Sequence, residues 1–237
     1  MALTVANSLQ VEQVEQVDWS QLDTVLLDMD GTLLDLAFDN HFWGTVIPEQ
    51  WGHRNGLDLP SSQQHLAPIF TNEQGKLNWY CLDFWGETLK LDIPSIKANY
   101  TDGIRWRPQA ETFLSRLQAS HLDVVLITNA HPVTLDIKAA RLPLAKWFNK
   151  MVSSHSYGAP KETQAFWTEL SAERPFNPNR TLFVDDAEHV LDSANTFGIS
   201  HLITLRQPDS SLPPRKSTRY PSIHHFEEIM QGLPTVD

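Results

Sequence analysis

A short apolar run that ends in two carboxylates is the feature that most constrains this chain. The run and the polar turn after it read Val25-Leu26-Leu27-Asp28-Met29-Asp30-Gly31-Thr32. Because side chains alternate along a strand, Asp28 and Asp30 are expected to share one face where a β-strand ends. Gly31 permits a tight turn, and Thr32 can bond the backbone N–H groups freed there. Such concentrated negative charge suits a hard divalent cation, or a carboxylate that attacks phosphorus.

Further apolar segments rich in β-branched residues recur along the chain and predict strands. With the first, they lie at about 24–29, 123–128, 149–153, 181–185 and 201–205. Helical spacing between them predicts helices that start at Pro108 or cover 132–142, 161–172 and 187–197, the last ended by Gly198. This alternation predicts an α/β fold, a doubly wound parallel sheet with helices on both faces. Ligands of such sheets bind at the carboxyl ends of the strands.

The connection between the first two predicted strands is far longer than a simple crossover needs. Its excess, residues 35–105, is rich in aromatic residues and shows helical spacing with few strand signals. We therefore predict a core domain formed by residues 1–34 and 106–237, and a small helical domain inserted at 35–105. The polar stretch 1–16 predicts either a loose arm or a short helix.

Three later segments carry polar side chains at the ends of predicted elements. Thr128 and Asn129 end the second strand, Lys161 opens a helical stretch, and Asp185-Asp186 ends the fourth strand. Each segment alone has an ordinary explanation, as a strand-ending turn, a solvated lysine or a helix cap. Together they supply the hydroxyl, cation and carboxylates that phosphoryl chemistry needs.

In this order the four segments resemble the haloacid dehalogenase-like (HAD) phosphohydrolase superfamily. The resemblance implies a HAD-like Rossmannoid core with a small helical C1-type cap at residues 35–105. It also implies that Asp28 is a nucleophile forming an aspartyl-phosphate and that Asp30 is the general acid and base. Thr128, the backbone N–H of Asn129 and Lys161 would bind the phosphoryl group, and Thr128 and Lys161 would also stabilise the transition state.

The same resemblance implies one Mg²⁺ per active site. Its ligands would be Asp28, the backbone carbonyl of Asp30 and Asp186, while Asp185 acts through water or pairs with Lys161. The sequence leaves open which of the two adjacent acids touches the metal, and Mn²⁺ is an alternative ion. A metal together with Lys161 would give a chain of net charge −11 the local positive charge that an anionic phosphate requires.

A closer resemblance is to the bacterial GMP/IMP 5′-nucleotidases of this superfamily. It rests on the blocks at residues 26–40, 77–83, 128–132 and 181–186. It implies hydrolysis of purine nucleoside 5′-monophosphates, GMP and IMP, to nucleoside and phosphate. Asn40 and Trp43 are the substrate-binding candidates of the insertion, since a purine base can stack on an aromatic ring and its edge needs polar partners.

Other activities compete with this interpretation. A phosphatase for small sugar or glycolytic phosphates would use the same core residues with a different insertion, and a phosphomutase also stays open. A metal-free 2-haloacid dehalogenase does not need the acids Asp30, Asp185 and Asp186. A non-catalytic regulatory protein of this fold would be expected to lack a key acid or the lysine, and all are present here.

Composition restricts partners and location. The net charge of −11 and the lack of a basic stripe argue against nucleic-acid binding. The single cysteine, Cys81, fits a reducing compartment. With no apolar run long enough to span a bilayer and no leader pattern, we expect a cytoplasmic protein with no membrane partner. Ten histidines are present, but neither an HExxH motif nor a Cys/His spacing suggests zinc, and no oligomeric state is predicted.

Overall fold

One parallel β-sheet forms the centre of the structure, a computed structural model that describes residues 16–235. Its strands are β1 (Thr24–Leu27), β2 (Asp123–Thr128), β3 (Lys150–Ser153), β4 (Thr181–Val184), β5 (His201–Leu205) and β6 (Ser222–Ile223). Their order is β3-β2-β1-β4-β5-β6, and every neighbouring pair is parallel. The predicted strands are therefore confirmed, and β6 is an additional strand that is too short to leave a sequence pattern.

Helices follow each of the first four strands, and a large group of them separates β1 from β2. They are α1 (Ala37–His41), α2 (Ile47–Asn55), α3 (Leu59–Thr71), α4 (Leu77–Tyr80), α5 (Leu82–Leu89), α6 (Ile93–Ala98), α7 (Ala110–Gln118), α8 (Pro132–Arg141), α9 (Gln164–Glu173) and α10 (Glu188–Phe197). A π-helical turn, Phe42–Val46, joins α1 to α2, and a 3₁₀ turn, Ser154–Tyr157, follows β3.

The apolar side chains of the strands alternate between two cores, one on each face of the sheet. Val25 and Leu27 pack in the core that includes Phe113 of α7, whereas Leu26 belongs to the core that includes Phe166 of α9. Strands β1 and β4 are buried along their whole length, as expected of strands that helices cover on both faces. This confirms the predicted doubly wound parallel sheet.

Two predicted helix starts are wrong, for reasons that lie in the backbone. Helix α7 begins at Ala110 rather than Pro108, because Gln109 takes a left-handed conformation with φ of 65°. Helix α9 begins at Gln164, so Lys161 lies in the turn before the helix. The predicted end of α10 is confirmed, since Gly198 takes φ of 109° there and its N–H bonds the carbonyl of Ala194.

Helices α2–α6 and the π-helical turn enclose a third apolar core of their own. Phe42, Leu66 and Trp85 are buried at its centre, and Trp43 packs against it. The domain boundaries at residues 34/35 and 105/106 stay predictions. The predicted arm or helix at 1–16 lies, except for its last residue, outside the described residues. Among residues 16–235, no helix has both the length and the apolar character that crossing a bilayer requires.

Candidate active site

Three carboxylates meet where strands β1 and β4 end. Oxygen atoms of Asp28, Asp185 and Asp186 all lie within 4.8 Å of one another. Thr32 ties the two strand ends together, because its Oγ1 accepts a 3.0 Å hydrogen bond from the N–H of Asp186. Gly31 has φ of 86°, and a Cβ there would lie 2.6 Å from the Asp186 carboxyl carbon. Only glycine therefore lets the two loops approach this closely.

The donor set of this acid cluster, defined as Asp28, Asp185 and Asp186, fits a hard divalent cation. All its candidate ligand atoms are carboxylate oxygens, the type that Mg²⁺ and Mn²⁺ prefer. Within residues 16–235, the buried Oδ2 of Asp28 finds no hydrogen-bond donor. Burial and the charges of Asp185 and Asp28 raise the pKa of Asp186 well above its usual value. A bound cation would relieve both the unpaired oxygen and this crowding of charge.

The ammonium group of Lys161 places a positive charge beside the acid cluster. Its Nζ donates hydrogen bonds of 2.5 Å to Asp28 Oδ1 and 2.7 Å to Asp185 Oδ2. Burial lowers the pKa of Lys161, but Asp185 and Asp28 outweigh it and hold the pKa above its usual value, so the ammonium stays charged. Burial raises the pKa of Asp28 to about 6 against the opposing charge of Lys161. Asp28 is therefore largely ionised at neutral pH.

Thr128 and Asn129 lie beside Asp28, where β2 ends. The Thr128 Oγ1 accepts the N–H of Ala130 at 3.0 Å, which leaves its own proton free to be donated. The Asn129 side chain is already engaged, since its Oδ1 accepts the N–H of Lys161 at 2.9 Å and its Nδ2 donates to Glu162 at 2.9 Å. This amide therefore positions the lysine turn, while the backbone N–H of Asn129 is the group predicted to face the phosphate.

Asp30 is not part of the acid cluster, and its carboxylate joins an ion network that the sequence analysis missed. Its Oδ1 accepts a 2.5 Å hydrogen bond from the buried Lys138 Nζ of α8. Lys138 also donates to Asp39 of α1, and Asp39 accepts a 2.8 Å bond from the buried Lys97 of α6. This Lys97–Asp39–Lys138–Asp30 network therefore connects the inserted helices to the proposed acid-base residue.

The network gives Asp30 and Asp39 different proton affinities. Burial raises the pKa of Asp30 to about 6, although Lys138 opposes that shift. Burial also acts to raise the pKa of Asp39, but Lys138 and Lys97 outweigh it and hold that pKa well below its usual range. Asp39 thus stays ionised, whereas Asp30 is able to carry or accept a proton near neutral pH.

Glu162, which follows Lys161, is a further residue that the sequence analysis missed. Its carboxylate accepts hydrogen bonds from the hydroxyl of Tyr80 at 2.6 Å and from the amide of Asn129 at 2.9 Å. Tyr80 belongs to the inserted helices and Asn129 to the sheet. Glu162 therefore links these two parts of the chain beside Lys161, a contact that no local sequence pattern indicates.

A cavity of about 440 Å³ opens above these residues. Asp28, Asp30, Thr128, Lys161 and both acids that follow β4 line its polar end. Aromatic side chains of the inserted helices line the other end, and they include Trp43, Phe70, Trp79, Tyr80 and Trp85. The cavity is thus charged where a phosphate would lie and aromatic where a larger group would lie.

The two substrate candidates of the insertion both line this cavity. Trp43 lies in the π-helical turn and packs edge-on against Phe42, with ring centroids 5.3 Å apart. The amide of Asn40 donates a 2.6 Å hydrogen bond to Asp209, so its side chain already has a partner. One face of Trp43 therefore lines the cavity while another packs against its neighbours. The amide of Asn40 is held in place by Asp209, which lies in the loop after β5.

A family model and a relative of known name each match most of this chain. A family model for haloacid dehalogenase-like hydrolases matches residues 22–198. The GMP/IMP nucleotidase YrfG of Escherichia coli (strain K12) is 39% identical over 217 residues, which cover 92% of this chain and 98% of that protein.

Solved structures of low sequence identity share the fold. The HAD phosphatase from Thermococcus onnurineus has a TM-score of 0.74 at 15% identity, covering 91% of this chain and 100% of its own. The HAD-hydrolase YfnB from Bacillus subtilis, whose structure is bound to magnesium, has a TM-score of 0.64 at 17% identity, covering 88% of this chain and 97% of its own.

Proposed function

The chain belongs to the haloacid dehalogenase-like hydrolase family, and from this membership we propose that it hydrolyses purine nucleoside 5′-monophosphates, GMP and IMP, to nucleoside and phosphate. One observation carries the proposal: the buried carboxylate of Asp28 lies at the polar end of an aromatic-lined cavity of about 440 Å³. Cavities of this size hold small organic ligands. The 39% identity to a protein named GMP/IMP nucleotidase supports the purine nucleotide as the substrate.

Asp28 is the nucleophile in this proposal. Its carboxylate attacks the phosphorus in line, a new P–O bond forms, and the bond to the 5′ oxygen of the nucleoside breaks. Asp30 donates its proton to that oxygen and then takes a proton from the water that attacks the aspartyl-phosphate. Phosphate leaves and both carboxyl groups return to their starting states. The raised pKa of Asp30, about 6, supports its part in both proton transfers.

Three donors hold the phosphoryl oxygens. The hydroxyl of Thr128 has a free proton because its oxygen already accepts the N–H of Ala130. The backbone N–H of Asn129 and the ammonium of Lys161 complete the set. Donors that are fixed before the reaction stabilise the charge that collects on the phosphoryl oxygens in the transition state. Lys161 also keeps Asp28 ionised through its 2.5 Å hydrogen bond.

The acid cluster is the proposed Mg²⁺ site, with Asp28 and Asp186 as the direct ligands together with the backbone carbonyl of Asp30. When bound, the metal would reduce the repulsion between the Asp28 carboxylate and the anionic substrate. Asp185 is held by Lys161 at 2.7 Å, which supports a role for it through water. Mn²⁺ suits the same oxygen donors. We also propose that the protein is cytoplasmic and that its binding partner is a small phosphate ester, its substrate.

We propose that residues 35–105 act as the cap that covers the leaving group. A panel of phosphate esters, assayed with and without a chelator, tests the nucleotidase assignment together with the proposed metal site. We expect phosphate release to be fastest on GMP and IMP, slower on AMP, CMP and ribose 5-phosphate, and absent in the presence of a chelator. Activity confined to sugar or aryl phosphates would keep the chemistry and refute the nucleotidase assignment. Turnover that resists the chelator would refute the metal site.

Replacing Trp43 with alanine should weaken recognition of the base. We expect kcat/KM for GMP to fall about 10-fold while that for ribose 5-phosphate changes little, because base–aromatic stacking contributes about 1–3 kcal/mol. Trp51→Ala is the matched control, since Trp51 stacks on His65 with centroids 4.9 Å apart and does not line the cavity. An unchanged ratio of the two kcat/KM values in Trp43→Ala would exclude stacking by this residue.

A further inference from the structure

A second group of potential metal ligands lies where the inserted helices meet the sheet. Ligand atoms of Cys81, His131 and His155 lie within 4.8 Å of one another. Cys81 lies between α4 and α5, His131 immediately precedes α8, and His155 lies in the 3₁₀ turn after β3. The fold therefore brings together one thiol and two imidazoles that are far apart in the sequence.

The hydrogen bonds that these side chains make to the backbone are long, so a metal ion can replace them. His131 accepts the N–H of Val133 through Nδ1 at 3.3 Å, and binding of a metal through Nε2 requires the ring proton to move to Nδ1 and this long bond to be given up. Among residues 16–235, Nε2 of His155 is buried and has no hydrogen-bond partner. The thiol of Cys81 makes one long contact, accepting the N–H of Phe84 at 3.5 Å. A buried imidazole nitrogen without a partner is costly unless something binds it.

We propose that Cys81, His131 and His155 form a second metal site, which takes a borderline divalent ion of the Zn²⁺ class. One sulfur and two nitrogen donors match Zn²⁺, whereas the all-oxygen acid cluster matches Mg²⁺. Zinc–ligand distances of about 2.0–2.3 Å require the three side chains to close slightly around the ion. Asp83 Oδ2, 3.6 Å from His131 Nε2, is placed to enter as the fourth ligand.

An ion at this site would join the inserted helices to the sheet beside the cavity. Cys81 comes from the insertion, whereas both histidines come from segments that follow strands of the sheet. Their chain neighbours Tyr80 and Ala130 line the cavity. The ion would therefore add a coordinate link to the contact that Tyr80 already makes with Glu162 at 2.6 Å.

Cobalt absorption tests the site without any use of enzyme activity. Cys81 is the only cysteine in the chain, so a thiolate-to-cobalt charge-transfer band can arise only from this residue. The full-length protein is titrated with Co²⁺ in excess Mg²⁺, which occupies the acid cluster. We expect the band to reach its maximum at one equivalent and to disappear when Zn²⁺ is added. Absence of the band in the folded wild-type protein would overturn the proposal.

Variants from both sides of the site test whether one ion bridges them. We expect Cys81→Ser to abolish the band and His155→Gln to weaken Co²⁺ binding by at least about 100-fold, the upper end of losses seen for residues that only support a ligand. His53→Gln, an exposed histidine on α2, is the matched control and should bind as wild type does. Circular dichroism checks that each variant is folded. A band that survives in His155→Gln at unchanged affinity would overturn the three-residue site.

Discussion

Replacing Asp28 with asparagine should abolish turnover, with kcat lowered by at least about 10⁴-fold on every phosphate ester that the protein hydrolyses. An amide cannot form the aspartyl-phosphate. In the proposed site Asp186 binds the metal and Asp185 pairs with Lys161 at 2.7 Å, so neither carboxylate is expected to replace Asp28 as the nucleophile. Single-turnover phosphate release, measured with excess enzyme, gives the rate of the chemical step.

Two controls separate the lost nucleophile from other effects of Asp28→Asn. Asp136→Asn changes an exposed acid on α8 and should keep wild-type turnover. Calorimetric titration of Mg²⁺ into Asp28→Asn should show weaker binding, but saturating Mg²⁺ should not restore activity, because the missing group is the one that attacks. Wild-type turnover in this variant, or full rescue by high Mg²⁺, would refute covalent catalysis by Asp28.

The end of the sheet that carries the acid cluster could be predicted, because its residues follow from local pattern and topology. Asp28 and Asp185 each follow an apolar run that reads as a buried strand, and carboxyl ends of parallel strands share one edge. The chain order β3-β2-β1-β4-β5-β6 reverses between β1 and β4, and a crevice opens at such a point. Residues at these strand ends therefore meet whatever the details of the helices.

The ion network could not be predicted, because its members are paired by tertiary structure alone. Lysines are almost always exposed, so Lys97 and Lys138 look like surface positions of their helices. Both are only 1% exposed, and Asp39 partners them from a third helix. The group of Cys81, His131 and His155 was not predicted for the same reason, since its members come from three separate segments of the chain. The predicted start of α7 was wrong because a single backbone angle, the φ of 65° at Gln109, decides where this helix begins.

Replacing Lys138 with methionine should impair both stability and catalysis. Methionine fills a similar apolar volume but leaves Asp30 without its cation and Asp39 with Lys97 alone. Breaking a buried ion pair from one side costs about 3–5 kcal/mol, so we expect the free energy of unfolding to fall by about that much. We also expect kcat to fall about 100-fold, since Lys138 holds Asp30 in place at 2.5 Å and general acid-base catalysis contributes at least about 10²-fold.

The pH dependence of Lys138→Met tells a positioning residue from a merely structural one. Lys138 favours the ionised form of Asp30, so its removal should raise the pKa of Asp30 above about 6. The acid that protonates the leaving group then stays protonated to higher pH, and the alkaline limb of kcat/KM should move upward. Lys216→Met, which changes an exposed lysine, should leave stability, kcat and the pH profile as in the wild type. A Lys138→Met protein that is destabilised but keeps both kcat and the alkaline limb would show that the network supports the fold without acting on Asp30.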